Sequence, residues 1–177
     1  MPPAHARLDD TIPDPACAWD EAGPDGGDPT LDLVEPITTT LKIAAGTAFD
    51  LFCDVARIPE WLSVVRKTRV LARTAAGYPQ RASFLGMLEN GAVGYTLRYA
   101  YDLEALKVTW QTDAQSSLTV AGSAQFCPLS PTSCMAVYAL SLSLPDGALP
   151  PWNDPFFDGH AASTVLTDFR DFIHRQP

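Results

Sequence analysis

Between residues 93 and 102 the chain alternates. Val93, Tyr95, Leu97, Tyr99 and Tyr101 are large and apolar or aromatic, and Gly94, Thr96, Arg98, Ala100 and Asp102 separate them. A step of two is the repeat of a β-strand whose two faces meet different surroundings. The same step runs through Ile37, Thr39, Leu41 and Ile43, and again through Leu106, Val108 and Trp110. It returns in Leu118, Val120, Gly122, Ala124 and Phe126, and in Ala136, Tyr138, Leu140, Leu142 and Leu144. Two more strands are expected over Arg66 to Arg73 and Arg81 to Glu89, with Asn90-Gly91 as a hairpin turn.

A helical step replaces this pattern in two places. After Ala45-Gly46, Thr47 is the expected N-cap of a short helix holding Phe49, Leu51, Phe52 and Val55, with Asp50 in its first turn. Ile58-Pro59-Glu60-Trp61-Leu62 restarts a helix with proline at its beginning. Near the C-terminus Ala162, Val165, Leu166, Phe169, Phe172 and Ile173 form one apolar stripe. That helix is expected to start at Asp154-Pro155. The order predicts an α+β domain: strand, two short helices, a strand meander, and a long helix gripped by the curved antiparallel sheet. Such a wrap leaves a cavity between sheet and helix, and cavities of this kind bind apolar molecules.

Composition changes this picture at one end only. Residues 1–35 carry Asp9, Asp10, Asp14, Asp20, Glu21, Asp25, Asp28, Asp32 and Glu35 against Arg7 alone, so nearly all of the net charge of −9 lies there. Residues 1–32 are also rich in proline and glycine and cannot bury enough apolar surface to offset their ordering entropy. They are read as a disordered acidic tail, and 33–177 as the ligand-binding domain. Trp19 in the tail is an incidental or loosely docked aromatic, a short anchor for a partner, or a plug over the cavity mouth.

Neither the acidic head nor the nearly neutral body offers a basic field for nucleic acid, and anionic membrane surfaces are disfavoured for the same reason. No apolar run is long enough to span a bilayer and no basic-then-apolar leader is visible. The expectation is therefore a cytosolic protein without stable membrane insertion. Cys17, Cys53, Cys127 and Cys134 show no metal-ligand spacing, and Cys127 and Cys134 flank a turn-like stretch across which they could face each other. His5, His160 and His174 lie far apart, so no metal is expected, and no cofactor motif is present. Ser163 has no nucleophile-elbow context.

Strand parity places Tyr95, Tyr99, Tyr101, Trp110 and Tyr138 on the concave face, where they line a cavity or fill a core. Gly122, Ala124 and Ala136 make room for a ligand or let the last helix approach the sheet. The expected ligand-facing set is Tyr95, Tyr99, Tyr101, Trp110, Gly122, Tyr138 and Phe169. Arg98 falls on the outward parity. Arg66, Lys67, Arg69 and Arg73 form an anion-binding rim or a solvated strand face paired with nearby acids or with the tail. Trp152, Phe156 and Phe157 are a lid over the cavity or a seal at the helix end.

The segment Phe49-x-x-Phe52-x-Asp54, then Pro59-x-Trp61, the meander with Tyr99, Trp110 and Gly122, and a terminal amphipathic helix together resemble the START-like, or SRPBCC, superfamily. The resemblance covers about residues 34–175. It implies the helix-grip fold of birch-pollen-allergen-type proteins, bacterial polyketide cyclase/dehydrase proteins and coenzyme Q-binding proteins. It also implies a lipid, quinone or polyketide as ligand. No position matches a family catalytic residue, so enzyme activity stays open. The alternatives are a polyketide aromatase/cyclase using Tyr95, Tyr99 and Tyr101, and a non-catalytic module whose acidic tail recruits a protein partner.

Overall fold

The computed structural model describes residues 35–88, 91–113, 119–143 and 160–176. The acidic tail with Trp19, the turn residue Asn90, Leu118, Leu144, the Asp154-Pro155 helix start and the aromatics Trp152, Phe156 and Phe157 lie outside the described residues.

Seven strands form one antiparallel sheet: β1 Ile37–Leu41, β2 Val65–Arg73, β3 Pro79–Leu88, β4 Gly91–Asp102, β5 Lys107–Thr112, β6 Thr119–Ser130 and β7 Ser133–Ser143. Their order across the sheet is β1-β7-β6-β5-β4-β3-β2. Consecutive strands from β2 to β7 are neighbours, as short connections favour. Strand β1 breaks the series by pairing with β7, with Ile37 opposite Tyr138 and Leu41 opposite Cys134. The two strands earliest in the chain therefore lie on opposite edges. The link between them holds α1 (Ala45–Cys53), a 3-10 turn (Val55–Arg57) and α2 (Ile58–Trp61). Helix α1 packs on β6 and β7, and α2 on β2 and on the terminal helix α3, Ala161–Arg175. This is the helix-grip arrangement expected from the pattern.

Helix α1 starts earlier than expected. Ala44 is its N-cap, with no side-chain cap, so Thr47 lies inside the helix and Asp50 beyond the first turn. Asp50 instead accepts a hydrogen bond from the Tyr78 hydroxyl at 2.8 Å. In α2 proline stands at the start, as expected. The Arg57 guanidinium pairs with Glu60 at 2.9 Å and lies 5.0 Å over the Phe172 ring, tying this turn to α3.

Strand parity holds along β1 and β4, where burial alternates apart from Thr96, which is half-buried like its neighbour Tyr95. It fails on β6, which is buried on both faces from Val120 to Cys127. Gly77 at φ 90° closes the β2–β3 turn, a conformation that side chains with a Cβ rarely adopt. Cys127 stands opposite Met135 and Cys134 opposite Pro128, so the register does not face the two cysteines. Cys53 and Cys134 are free and buried. The core centres on Phe49, Phe126 and Phe169, each under 2 % exposed.

Candidate functional site

An apolar cavity of about 120 Å³ opens beside that core. Helix α1 supplies Phe52 and Cys53, α2 supplies Ile58 and Trp61, and α3 supplies Val165 alone. The sheet supplies the rest, chiefly Val93, Tyr95, Leu97 and Tyr99 of β4, Trp110 of β5 and Tyr138 of β7. Among the described residues no charged side chain lines it.

Of the seven expected ligand-facing residues, Tyr95, Tyr99, Trp110 and Tyr138 meet in this lining. Tyr101, Gly122 and Phe169 do not. Tyr101 shares the parity of Tyr99 but sits one pair further along β4. Its hydroxyl donates to the Pro79 carbonyl at 2.5 Å and its ring packs on Phe49 and Tyr78. Gly122 stands opposite Trp110 across the β5–β6 ladder, and the space it leaves is filled by the Trp110 indole. Phe169 is fully buried, 5.1 Å from both Phe52 and Trp61 and 6.1 Å from Phe126. The seam between α3 and the sheet is thus solid at Phe169. The hollow lies next to it, bounded by the short helices on one side and β2 to β7 on the other.

Parity alone missed Phe52 and Trp61 as lining residues, although both stand in the short-helix segment that the sequence marks out. Phe52 is the hub of the site, with Trp61 and Trp110 each 5.9 Å away, Tyr138 at 6.2 Å and Phe169 at 5.1 Å. Tyr95 stacks on Phe84 at 5.2 Å and nearly parallel. Such aromatic pairs each add about 0.5–1.5 kcal/mol beyond area burial.

The polar groups at the cavity are few and neutral. Burial pushes the Tyr95 phenol up to about 12 and holds Tyr99 and Tyr138 well above the usual phenol range, with burial the leading cause in each. All three remain protonated and able to donate at neutral pH. The Cys53 thiol is pushed well up, first by burial and then by Asp50, which makes it a poor nucleophile. Trp61 Nε1 is the one buried side-chain nitrogen or oxygen among the described residues with no hydrogen-bond partner. An unsatisfied donor of this kind costs about 1–3 kcal/mol. Ser163 Oγ donates to the His160 carbonyl at 2.8 Å on the exposed side of α3, away from the cavity.

The phenols set a pH dependence. In the unfolded chain a tyrosine titrates near pH ~10, below its value in the fold. The unfolded state therefore loses protons first as pH rises. Stability should be fully present below pH ~10 and decline above it, by up to about 1.4 kcal/mol per pH unit for each buried phenol. Urea unfolding across an alkaline pH series checks this, and a midpoint that stays level well above pH ~10 would contradict it.

The chain matches no protein-family model and no curated protein. Solved structures do resemble it. A START superfamily protein from Mycobacterium smegmatis superposes with a TM-score of 0.69 at 14% identity, over 80% of this chain and 97% of that one. The Zhui aromatase/cyclase from Streptomyces sp. R1128 gives a TM-score of 0.66 at 12% identity, over 80% and 93%. Ara h 8.0201 gives 0.58 at 10% identity, over 81% and 98%. At these identities the likeness is one of fold, and the fold is START-like.

Proposed function

We propose that this START-like protein binds a neutral, ring-bearing apolar molecule in the cavity beside Phe52. The observation that carries the reading is a lining of aromatic rings and aliphatic side chains with protonated phenols and no charge. An ionised ligand would lose its hydration there with no counter-charge to replace it. A dry apolar cavity of about 150 Å³ is known to take up benzene. The hollow as it stands holds one ring, a second fused ring requires a small yielding of the aromatic wall around Phe52 and Trp61, and a polyketide, quinone or lipid requires that wall to give way further. The shared fold with a START superfamily protein supports the same reading.

Titration with 2-naphthol, followed by indole fluorescence from Trp61 and Trp110, tests it. Saturable binding is expected, together with little binding of a fatty acid. Val165→Phe, which fills the hollow from α3, should weaken binding by about tenfold or more, as lost apolar burial implies. Binding that survives this substitution unchanged would refute the site.

A second reading, aromatase/cyclase chemistry, is favoured by the likeness to Zhui and by the phenols on one wall. Tyr95 and Tyr99 would donate to enolate oxygens of a folded chain, while Tyr101, held by Pro79, takes no part. Turnover of a polyketide mimic that falls in Tyr95→Phe or Tyr99→Phe would support it. Recruitment of a partner by residues 1–32 is a separate proposal, separable by deleting them and finding ligand binding intact. A cytosolic location belongs with these proposals. Among the described residues no helix is long and apolar enough to cross a membrane.

A further inference from the structure

The near-neutral body hides an uneven distribution of charge. Strands β2, β3 and β4, adjoining at one edge of the sheet, carry Arg66, Lys67, Arg69, Arg73, Arg81 and Arg98. The chain has 12 lysines and arginines in all. The same three strands hold a single carboxylate, Asp102. Arg81 and Arg98 share Asp113, each at 2.6 Å. Other ion pairs involve Arg57 and Arg170, and among the described residues no cation of β2 is in one. All six cations are exposed.

Apolar side chains stand bare among them. Leu71, Leu85 and Met87 are 44%, 40% and 42% exposed. Lys67 faces Leu85 across the β2–β3 ladder. Inward neighbours on the same strands, Val65, Phe84 and Gly86, line the cavity. The patch is thus the back of the cavity wall.

We infer that this outer face of β2 to β4 docks on an anionic lipid bilayer. The chain's net charge of −9 argues against such a surface only at long range. Within a Debye length of about 8–10 Å the local charge decides, and here it is positive. A bilayer interface offers phosphate and carboxylate groups with hydrocarbon a few ångströms below, so it suits guanidinium groups and bare Leu and Met together. An acidic polypeptide would satisfy the cations and leave the apolar side chains without a partner. Docking of this kind is peripheral and inserts no helix. It does not depend on what occupies the cavity, although an apolar ligand dissolved in the bilayer would be brought close to it.

Co-sedimentation of the full chain with vesicles tests the inference. Binding is expected to phosphatidylcholine vesicles containing phosphatidylserine, to weaken steeply with salt, and to be absent with phosphatidylcholine alone. Each cation near the surface contributes about fivefold, so combined Arg66→Glu, Lys67→Glu and Arg69→Glu should lower the affinity about 100-fold or more. Its melting temperature and 2-naphthol titration should match those of the parent, showing that the fold and the cavity persist. Leu85→Ser with Met87→Ser, at exposed sites that do not build the core, should weaken binding several-fold and leave its salt dependence unchanged. No binding to the anionic vesicles overturns the inference. So does binding that the charge reversals leave unchanged, equal binding to neutral vesicles, or capture of poly-glutamate without capture of vesicles.

Discussion

Gly122→Val should lower stability by about 1–3 kcal/mol and close the cavity at the same time. A Cβ built on Gly122 would lie 2.8 Å from the Trp110 Nε1 and nearer still to two carbons of the same ring. The backbone of Gly122 is not in the left-handed region, so the conflict is one of volume and not of conformation. The indole can escape only away from β6. It is flanked there by Tyr138 at 5.6 Å and Phe52 at 5.9 Å, and it already lines the hollow. Valine at position 122 therefore pushes the ring into the space a ligand would use. Denaturant unfolding should show the loss, and 2-naphthol titration should show reduced binding. Pairing Gly122→Val with Trp110→Leu should cost less than the sum of the two single substitutions, because the clashing ring is gone. Strict additivity would mean that the indole does not rest on Gly122.

Phe169→Ala should have the larger effect on stability, about 3–5 kcal/mol, and lower the melting temperature by roughly 10 °C or more. Phe169 is 0% exposed and touches Phe52, Trp61, Phe126 and Phe172. Phe52 and Trp61 are also walls of the cavity. Removing the ring between them joins the new void to the existing one and leaves an apolar hollow that a bicyclic guest can enter without displacing the aromatic wall. The variant should thus be less stable than the parent, bind 2-naphthol more tightly, and recover part of its stability when the guest is present. A destabilised variant whose melting temperature does not respond to the guest would show that the void collapses instead.

These two residues mark where sequence patterns stop being informative. Parity assigned the concave face of β4 well, because alternation is imposed by the pleat itself. Parity carries no coordinate along the strand. Tyr95 and Tyr99 border the hollow, whereas Tyr101, on the same face, is tied to Pro79 over a different part of the core. Gly122 was legible as missing volume, but what fills that volume depends on the β5–β6 register, which puts Trp110 opposite it. Phe169 belonged plainly to the buried stripe of α3, yet its distance from the hollow is set by Phe52 and Trp61, which arrive from another part of the chain. The converse holds for Trp61. Its place in the short-helix segment was visible, while the unpartnered indole nitrogen emerges only once the surrounding side chains are in position. Helix α1 began early for a local reason: Ala44 caps it without a side-chain hydrogen bond, so no residue type advertised the start. On β6 the alternation reported an inner face correctly but could not report that the outer one is buried as well.

The pairing of β1 with β7 has a consequence for biosynthesis. Ile37 leaves the ribosome well before its partner Tyr138, which is made only after the whole meander. Until then the nascent chain has an unsatisfied strand edge and half of a groove, and pairings so distant in sequence form slowly. The hollow has no complete wall before Tyr138 of β7 and Val165 of α3 have been made. A guest can be captured only once β7 and α3 have emerged, and a premature stop anywhere before β7 yields a fragment with nowhere to hold one.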